Sequence, residues 1–436
     1  MTRYKLPDPR LSLMMFLEFF IWGAWYVTIG NYMAEVGMTD SIYWAYTVPP
    51  IGAIVSPFFL GLVADRYFPT EQVLGVMHLA GAAFIAVVPF FEGQALPFIL
   101  LLLLHNLCYA PTLGLTNTLA FHHLDDQEQE FPLVRVFGTI GWIISGVVVS
   151  YVLGADTTPI PLYVAALAGL ALGVYSFYLP HTPPPAEGET VKIREVLGLD
   201  ALKQLSSPSF NVFLVCSMLI SIPLAAYYAY APVFVNAADI ADPAFKMSFG
   251  QMSEAAFMLL MPLLFARLGV KWMLGIGMAA WVLRYGLFAG AAPAGGVLWM
   301  VMFGILLHGV CYDFFFVSGQ IYVDKKSTPA TRGQGQGLII LATYGIGMLV
   351  GAQVSGWVFN GVVSGNVEQA LGQWQTFWII PAVFAALILG AFVWLFDDRV
   401  EEDEEAEEIH KRGDGTTLGE AETAEAGAET SADRGL

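Results

Sequence analysis

Charged residues are scarce in this sequence of 436 residues. Asp, Glu, Lys and Arg make up 13% of it, about half the share of a typical soluble domain, whereas 56% of its residues are hydrophobic. A soluble surface needs more charge than this, so the composition excludes an ordinary soluble protein. Bases are scarcer still, with 19 Lys and Arg against 37 acids, and no basic patch interleaved with aromatic residues indicates nucleic acid as a partner.

Cysteine is almost absent too, and metal-ligand clusters are missing. The three cysteines, Cys108, Cys216 and Cys311, all fall in apolar runs, and an odd, buried set does not build a disulfide framework. No cluster at metal spacing surrounds His105 or His308. Since there is also no nucleotide-binding loop and no Ser/His/Asp arrangement, we expect no enzyme activity, no metal and no cofactor.

What the chain has in abundance is long hydrophobic runs, each near the 20 residues that cross a bilayer. The first contains Glu18 and is too long and too polar for a cleaved signal sequence. The pattern predicts an all-α membrane protein with twelve spans, at 11–34, 43–63, 73–91, 96–121, 133–154, 161–179, 210–236, 250–268, 272–291, 296–320, 334–358 and 374–396.

The distribution of charge predicts the orientation and the tail. With the N-terminus inside, seventeen of the 19 bases lie on or next to the cytoplasmic side, the exceptions being Lys246 and Arg284. This predicts a multi-pass protein of the bacterial inner (cytoplasmic) membrane with both termini cytoplasmic. Residues 397–436 hold fifteen acids, four bases and no aromatic residue. Such a segment cannot bury enough apolar surface to fold, so we expect a disordered acidic tail.

A short repeat predicts two related halves. Leu103-Leu104-His105-x-x-Cys108-Tyr109 in the fourth run recurs as Leu306-Leu307-His308-x-x-Cys311-Tyr312 in the tenth. A hydrophilic stretch at 180–209 lies midway between them. We therefore expect a six-helix half at 1–179, a cytoplasmic linker at 180–209 and a second six-helix half at 210–396. A parallel repeat of this kind places a substrate site between the halves near the middle of the membrane.

The loop after the second run, Gly61-Leu62-Val63-Ala64-Asp65-Arg66, resembles the G-x-x-x-D-R signature of the major facilitator superfamily. Longer stretches resemble its nucleoside:proton symporter family, whose best-known member is a bacterial nucleoside permease: LEFFIWGAWYVTIGNYM (17–33), YAPTLGLTNT (109–118), FPLVRVFGTIGW (131–142), VLGLDA (196–201), AWVLRYGLFA (280–289) and YDFFFVSGQIYVDKKSTPATRGQGQG (312–337). The resemblance implies the twelve-helix facilitator fold and proton-coupled nucleoside uptake by alternating access. We expect a monomer whose partners are a nucleoside, protons and the lipid bilayer.

The resemblance also implies site residues. The family's substrate-contacting positions and its aromatic-Asp pair match six residues here: Arg135, Thr139, Gln251, Glu254, Tyr312 and Asp313. Four positions depart from the permease: its Gln and Asn on the seventh helix are Ala225 and Tyr228, a Tyr is His308, and a Gln is Glu18. These departures bear on the identity of the substrate. Asp65 and Arg66 are expected to form a gating latch on the cytoplasmic side.

The spacing of the polar residues supports a binding site on physical grounds. Arg135 and Thr139, four apart, share a helix face, as do Gln251 and Glu254, three apart. An arginine can hold an oxygen, and a carboxylate beside an amide can bind ribose hydroxyls or base N–H groups. The alternative for Arg135 is that it only extends its side chain to the cytoplasmic interface.

The polar side chains of the tenth run lie on two different faces of the predicted helix. His308 and Tyr312, four apart, share a face, whereas Asp313 points about 100° away from Tyr312. Asp313 either lines the cavity or pairs with Arg284 on the ninth helix. His105 is expected to be a hydrogen-bonded core residue.

Aromatic residues crowd the helices that this architecture turns toward the cavity. They are Trp22, Trp25, Trp142, Tyr227 and Tyr228, of which Trp142 and Tyr228 are the candidates for stacking on a base. Packing between helices and an interfacial belt are the alternatives for the whole set.

The coupled proton requires an acid within the spans, and Asp313 is the first choice ahead of Glu18 and Glu254. The main hypothesis is therefore a proton-driven nucleoside carrier. A carrier of another small polar solute, such as a sugar or nucleotide derivative, and a sensor that kept the transporter fold are the alternatives.

Overall fold

The computed structural model describes residues 8–60, 67–184, 194, 198–328, 331–363 and 371–397, and the chain in these ranges is helical without a strand. The all-α prediction is confirmed. Asp65, Arg66 and the acidic tail from 398 onward lie outside the described residues.

The helices follow the order of the predicted spans. They are α1 (Pro9–Glu35), α2 (Ile42–Phe59), α3 (Thr70–Phe91), α4 (Ala95–His123), α5 (Gln127–Gly146, continued by a π-helical turn at Val147–Val152), α6 (Ile160–Ser176), α7 (Pro208–Ala237), α8 and α9 (together Pro243–Ala291), α10 (Leu298–Lys326), α11 (Arg332–Val362) and α12 (Leu371–Leu395). A short linker helix, Leu199–Leu205, precedes α7.

Helices α8 and α9 are continuous except at one residue. Gly269 has φ +68° and ψ 177° inside an otherwise helical run, so the chain reverses there within a single residue. A positive φ is accessible to glycine at little cost. Within the described ranges, nine helices are long and apolar enough to cross a membrane. The predicted twelve is reached when Gly269 divides α8 from α9 and the shorter α2 and α6 are counted.

Two helix starts show how the sequence fixes the boundaries. The Asp8 carboxylate accepts a hydrogen bond from the Arg10 amide at 2.8 Å, and Pro9 occupies the first helical position. The Arg10 side chain donates to the same carboxylate and holds the pKa of Asp8 below its usual value. At α7, the Ser207 hydroxyl accepts from the Phe210 amide at 3.2 Å. Both are N-caps that satisfy backbone donors which the helix leaves free.

The sequence repeat reappears in the packing. Trp25 of α1 meets His105 of α4 edge-on, with ring centroids 5.8 Å apart. Tyr228 of α7 meets His308 of α10 in the same manner at 6.0 Å. Both members of the second pair follow those of the first by 203 positions. The same helix–helix contact is therefore built twice.

The helices alternate in direction, so the bundle has two ends. We call the end where α1 begins and α12 ends the terminal face, and the opposite end the distal face. Contacts between the first six and the last six helices gather at the distal face, where α1 packs on α7, α2 on α11 and α5 on α8. Gln353 donates to the Thr47 hydroxyl at 2.7 Å, and Asn360 to the Asp40 carbonyl at 2.9 Å. The distal face is closed.

Asp156, in the loop after α5, makes a further contact between the halves. Its Oδ1 accepts from the backbone amide of Ala244 at the start of α8, at 2.9 Å, and its Oδ2 accepts from the Ser150 hydroxyl at 2.6 Å. Burial raises the pKa of this carboxyl group, and the two hydrogen bonds oppose that effect. Asp156 thus caps a helix of the opposite half.

Candidate functional site

Polar side chains face each other across the contact between α5 and α8. Arg135 and Thr139 lie on α5, and Gln251 and Glu254 lie on α8, all near the middle of their helices and all half-buried. Polar groups that remain partly exposed between two packed halves indicate a cavity at this contact. Because the halves are closed at the distal face, this cavity opens toward the terminal face.

Arg135 is fixed by an aromatic ring of α1. Its guanidinium carbon lies 4.0 Å from the centre of the Phe19 ring, a cation–π contact. Its charge acts on both Glu254 and Tyr312 of the other half. The Arg135 side chain therefore lies toward the space between the halves rather than at the membrane interface.

Close packing of α8 on α10 places the acid of α8. The Ser253 hydroxyl donates to the Leu306 carbonyl at 2.5 Å, and a Cβ added at Gly309 would lie 2.6 Å from the Ser253 backbone. Glu254 Oε2 consequently lies 3.8 Å from His308 Nε2. Gln251 Oε1 is buried without a hydrogen-bond partner in the described part of the chain, an acceptor left free for a ligand.

A chain of aromatic rings borders the site. Trp142 lies 5.3 Å from Trp22 and 6.2 Å from Tyr26, and Tyr26 lies 5.8 Å from Tyr228. Trp142 and Tyr228, the two candidates for stacking on a base, are half-buried. Tyr26 was not among the predicted candidates, although it lies four residues after Trp22 and therefore on the same helix face.

Two predicted aromatic candidates serve packing. Trp25 and Tyr227 are each only 1% exposed. Tyr227 stacks on His308 at 5.4 Å and lies under the Arg284 guanidinium, whose central carbon is 4.0 Å from the ring centre. These contacts hold the His308 ring in place through Tyr227.

A tyrosine pair joins α10 to α11. The Tyr344 hydroxyl donates to the Tyr312 hydroxyl at 2.7 Å. Tyr344 was not predicted, and its only sequence signal is a hydroxyl within the apolar run of α11. Each tyrosine lies at a π-helical turn, Asp313–Val317 directly after Tyr312 and Leu341–Gly347 around Tyr344. Such turns occur frequently at functional sites.

Asp313 and Arg284 do not form the pair that was one alternative. Arg284 donates from Nε to the Gly304 carbonyl at 3.0 Å and stacks on Tyr227. Asp313 is 0% exposed, and neither of its carboxylate oxygens has a hydrogen-bond partner among the described residues. A buried acid without a partner is costly when ionised.

Glu18 is buried in a different setting, within the first half. Its Oε2 lies 2.8 Å from His78 Nε2 on α3, and its Oε1 lies 2.6 Å from the Thr112 hydroxyl on α4. Neither partner was predicted. His105 hydrogen-bonds through Nδ1 to the Gly81 carbonyl at 2.9 Å, as expected of a core histidine.

Ala225 and Tyr228, the two α7 residues that differ from the permease, have different surroundings. Ala225 is wholly buried, and its Cβ would lie 2.7 Å from a Cβ added at Gly351 of α11. It therefore faces a neighbouring helix, whereas Tyr228 borders the cavity. No three His, Cys, Asp or Glu side chains of the described ranges are grouped as a metal site.

Comparison with known proteins identifies the family. A family described as nucleoside H+ symporters matches residues 7–401. The protein YegT of Escherichia coli (strain K12) is 39% identical over 400 residues, which cover 89% of this chain and 93% of that protein. The nucleoside permease NupG of the same organism is 31% identical over 407 residues, covering 89% and 95%.

The fold agrees as well. The crystal structure of the nucleoside transporter NupG matches with a TM-score of 0.80 at 30% identity, over 89% of this chain and 99% of that one. The predicted facilitator fold is thus confirmed, and so is the resemblance drawn from the motifs. A multi-pass helical bundle, closed at one face, with polar groups facing a cavity between two related halves, is the architecture of a transporter. This chain belongs to the nucleoside H+ symporter family.

Proposed function

We propose that this protein takes up nucleosides together with protons, by alternating access of its two halves. One observation carries the proposal: Arg135 of the first half and Gln251 and Glu254 of the second are partly exposed between the halves, and the contacts between the halves in the described ranges gather at the distal face. A carrier needs a site shared by two halves that can be closed on either side in turn.

The distribution of Lys and Arg supports an orientation of the protein in the membrane. The terminal face holds Arg10, Lys203, Lys325 and Lys326, and cytoplasmic loops are enriched in Lys and Arg. We place this face in the cytoplasm of a bacterium, so that both termini are cytoplasmic. The structure then corresponds to the inward-open state of a monomer in the inner membrane. Asp65 and Arg66 are proposed to latch the cytoplasmic side when it closes.

The site residues divide into polar and stacking groups. Arg135 and Thr139 hold oxygen atoms of the substrate, while Gln251 and Glu254 bind ribose hydroxyls or base N–H groups. Trp142 and Tyr228 stack on the base. His308 and Tyr312, fixed by Tyr227 and Tyr344 respectively, complete the wall.

Asp313 is proposed as the proton carrier, ahead of Glu18 and Glu254. Its carboxyl group is buried without a partner in the described chain, so that its charged form is disfavoured until water reaches it. Opening and closing of the cavity can therefore change its protonation. Glu254 is 18% exposed at the substrate site and is better suited to bind the nucleoside.

Uptake of a panel of labelled nucleosides into proteoliposomes tests the proposal. Acid outside should drive accumulation above the external concentration, and a protonophore should abolish it. Arg135→Ala should prevent uptake, whereas Arg332→Ala, which removes a surface base paired with Asp324, should not. If no nucleoside is carried but another polar solute is, the alternative substrate class holds. If a nucleoside binds and none is carried, the protein is a sensor.

A further inference from the structure

The first half contains a buried acid–base cluster that the proposed substrate site does not use. We call it the α1–α3–α4 cluster, formed by Glu18, His78 and Thr112. Glu18 is 0% and His78 3% exposed, and both oxygens of the carboxyl group have partners, at 2.8 Å and 2.6 Å. A buried acid so completely surrounded is expensive to build and needs an explanation.

The hydrogen atoms of the cluster can be arranged in two ways. The Thr112 hydroxyl has one proton but lies 2.6 Å from two oxygens, Glu18 Oε1 and the Tyr109 carbonyl. A carbonyl can only accept. When Thr112 donates to the carbonyl, Glu18 Oε1 must carry a proton and donate it to Thr112. When Thr112 donates to Glu18 instead, the carboxylate is ionised and also accepts from His78 Nε2–H.

Both arrangements fit the same positions of the heavy atoms. The protonated acid uses its proton in a hydrogen bond, and the ionised acid receives two donors. This geometry lets a buried group gain and lose a proton repeatedly, because neither form is then left with an unsatisfied buried atom.

The groups that face Glu18 come from every helix packed against α1 at this level. Helix α3 contributes His78, α4 contributes Thr112, Tyr109 and His105, α5 contributes the charge of Arg135, and α6 contributes the uncharged Ala165 and Gly169.

Helix α1 connects the cluster to the substrate site. Tyr109 donates to the main-chain oxygen of Glu18 at 2.7 Å, and its ring lies 6.1 Å from Trp22 on the border of the cavity. Phe19, the residue after Glu18, carries the Arg135 guanidinium on its ring. A movement of α1 that follows substrate binding at Arg135 would therefore displace Glu18 directly.

We infer that Glu18, His78 and Thr112 form a second proton-binding site, which gains and loses a proton in each transport cycle, but only when the carrier of the second half does so too. The inference rests on the proposed proton-coupled uptake. The proton leaves Glu18 Oε1 for water admitted between α1 and α4, and the Thr112 hydroxyl turns from the Tyr109 carbonyl to the carboxylate. Uptake of a proton reverses these steps.

The number of protons coupled to each nucleoside tests the site. It is measured in proteoliposomes from the membrane potential at which net nucleoside flux reverses, for the wild type, Glu18→Gln and His105→Gln. Glu18→Gln keeps the size of the side chain and should lower the number by about one. His105→Gln, which alters a neighbouring histidine hydrogen-bonded to Gly81, should leave it unchanged.

A second pair of variants keeps the test valid if Glu18→Gln does not fold. Thr112→Val removes the hydroxyl that stabilises the ionised form and should slow uptake about tenfold, while Thr112→Ser should restore it. An unchanged proton number in folded Glu18→Gln, or full uptake by Thr112→Val, would overturn the second site. Loss of gradient-driven uptake in the wild type would instead overturn the proposed function.

Discussion

The two halves of the bundle share their packing but differ in their buried acids. Trp25 and His105 in the first half correspond to Tyr228 and His308 in the second, 203 positions later. With the same spacing on the same helices, Glu18 corresponds to Ser221, and Asp313 corresponds to Ala110. The fold is duplicated, whereas the chemistry is not.

The difference lies in how each acid is satisfied. Glu18 has a hydrogen-bond partner on each carboxylate oxygen, and Asp313 has none in the described chain. An ionised carboxyl group at bilayer depth costs several kcal/mol unless it is paired or wet. The ionised acid of the second half therefore depends on water from the cavity for stabilisation, whereas the ionised acid of the first half is stabilised by its two hydrogen-bond partners. This suits Asp313 to respond to opening of the cavity.

The largest effect is expected when Asp313, the buried acid of the second half, is replaced. Asp313→Asn should abolish proton-driven accumulation, because an amide of the same shape cannot carry a proton, while exchange of nucleoside across the membrane persists. Uptake and counterflow assays in proteoliposomes separate the two activities. Asp324→Asn, on the surface of the same helix, is the control. Full accumulation by Asp313→Asn would exclude it as the carrier and shift the role to Glu18.

The next largest effect is expected at Arg135, the positively charged residue that the first half contributes to the proposed site. Arg135→Lys should raise the KM for nucleoside by about tenfold or more, because a single ammonium cannot reproduce the planar fork or its stacking on Phe19. Initial rates of uptake over a range of concentrations give KM and kcat separately. Arg332→Lys is the matched control, and equal changes in both variants would remove Arg135 from the site.

Removing the contact that Asp156 makes between the halves should have a smaller effect. Asp156→Ala removes the cap on Ala244 and should favour opening of the distal face by about 1 kcal/mol, or about fivefold. Asp156→Asn keeps an acceptor oxygen and should remain closed. Distances between spin labels at the exposed Leu153 and Ala241, in protein with its native cysteines replaced, measure the opening.

The protonation of Asp156 adds a dependence on pH with a defined sign. Burial raises the pKa of this group in the closed arrangement above its value in water. Acid therefore stabilises closure, and the effect fades as the pH rises through the raised pKa. The spin-label distances should show less opening at low pH in the wild type but no pH dependence in Asp156→Asn. A dependence retained by Asp156→Asn would locate the titrating group elsewhere.

Selectivity should be weak, because α7 offers few directional groups to the nucleobase. Tyr228 provides one hydroxyl and a ring, and Ala225 does not reach the cavity. A site that recognises shape and stacking tolerates several bases. Competition between unlabelled nucleosides should show preferences below about 100-fold. A stricter preference would mean that groups other than those on α7 read the base.

The smallest effect concerns the tail, which belongs to neither half. Truncation after Arg399 should leave uptake within about twofold, since the acidic segment has no apolar pattern with which to pack on the helices. Uptake normalised to the amount of inserted protein gives the answer. A severe loss would show that the tail regulates the gate.

Much of the fold could be predicted because each span is a local property of the sequence. Apolar length and turn residues indicated α8 and α9 separately, although the chain joins them through Gly269 alone. The repeated His-x-x-Cys-Tyr string located two equivalent helices. The family motifs selected Arg135 and Glu254, which belong to opposite halves and lie near enough to interact electrostatically.

Partners distant in sequence could not be predicted. His78 lies 60 positions from Glu18, and no periodic pattern connects them. Pairing of Asp313 with Arg284 was one of two alternatives, but the Gly304 carbonyl and the Tyr227 ring bind the Arg284 side chain instead. Both outcomes depend on the rotation of each helix about its axis, which determines which face meets which neighbour. The sequences of uniformly apolar helices hardly specify this rotation.

The central claim is that nucleoside and proton move together, and proton flux tests it most directly. Proteoliposomes with a pH-sensitive dye inside and no imposed gradient would receive external nucleoside. The predicted result is acidification of the interior that requires the protein, stops with Asp313→Asn and persists with Asp324→Asn. Entry of labelled nucleoside without any change in internal pH would contradict coupling and show the protein to be a uniporter.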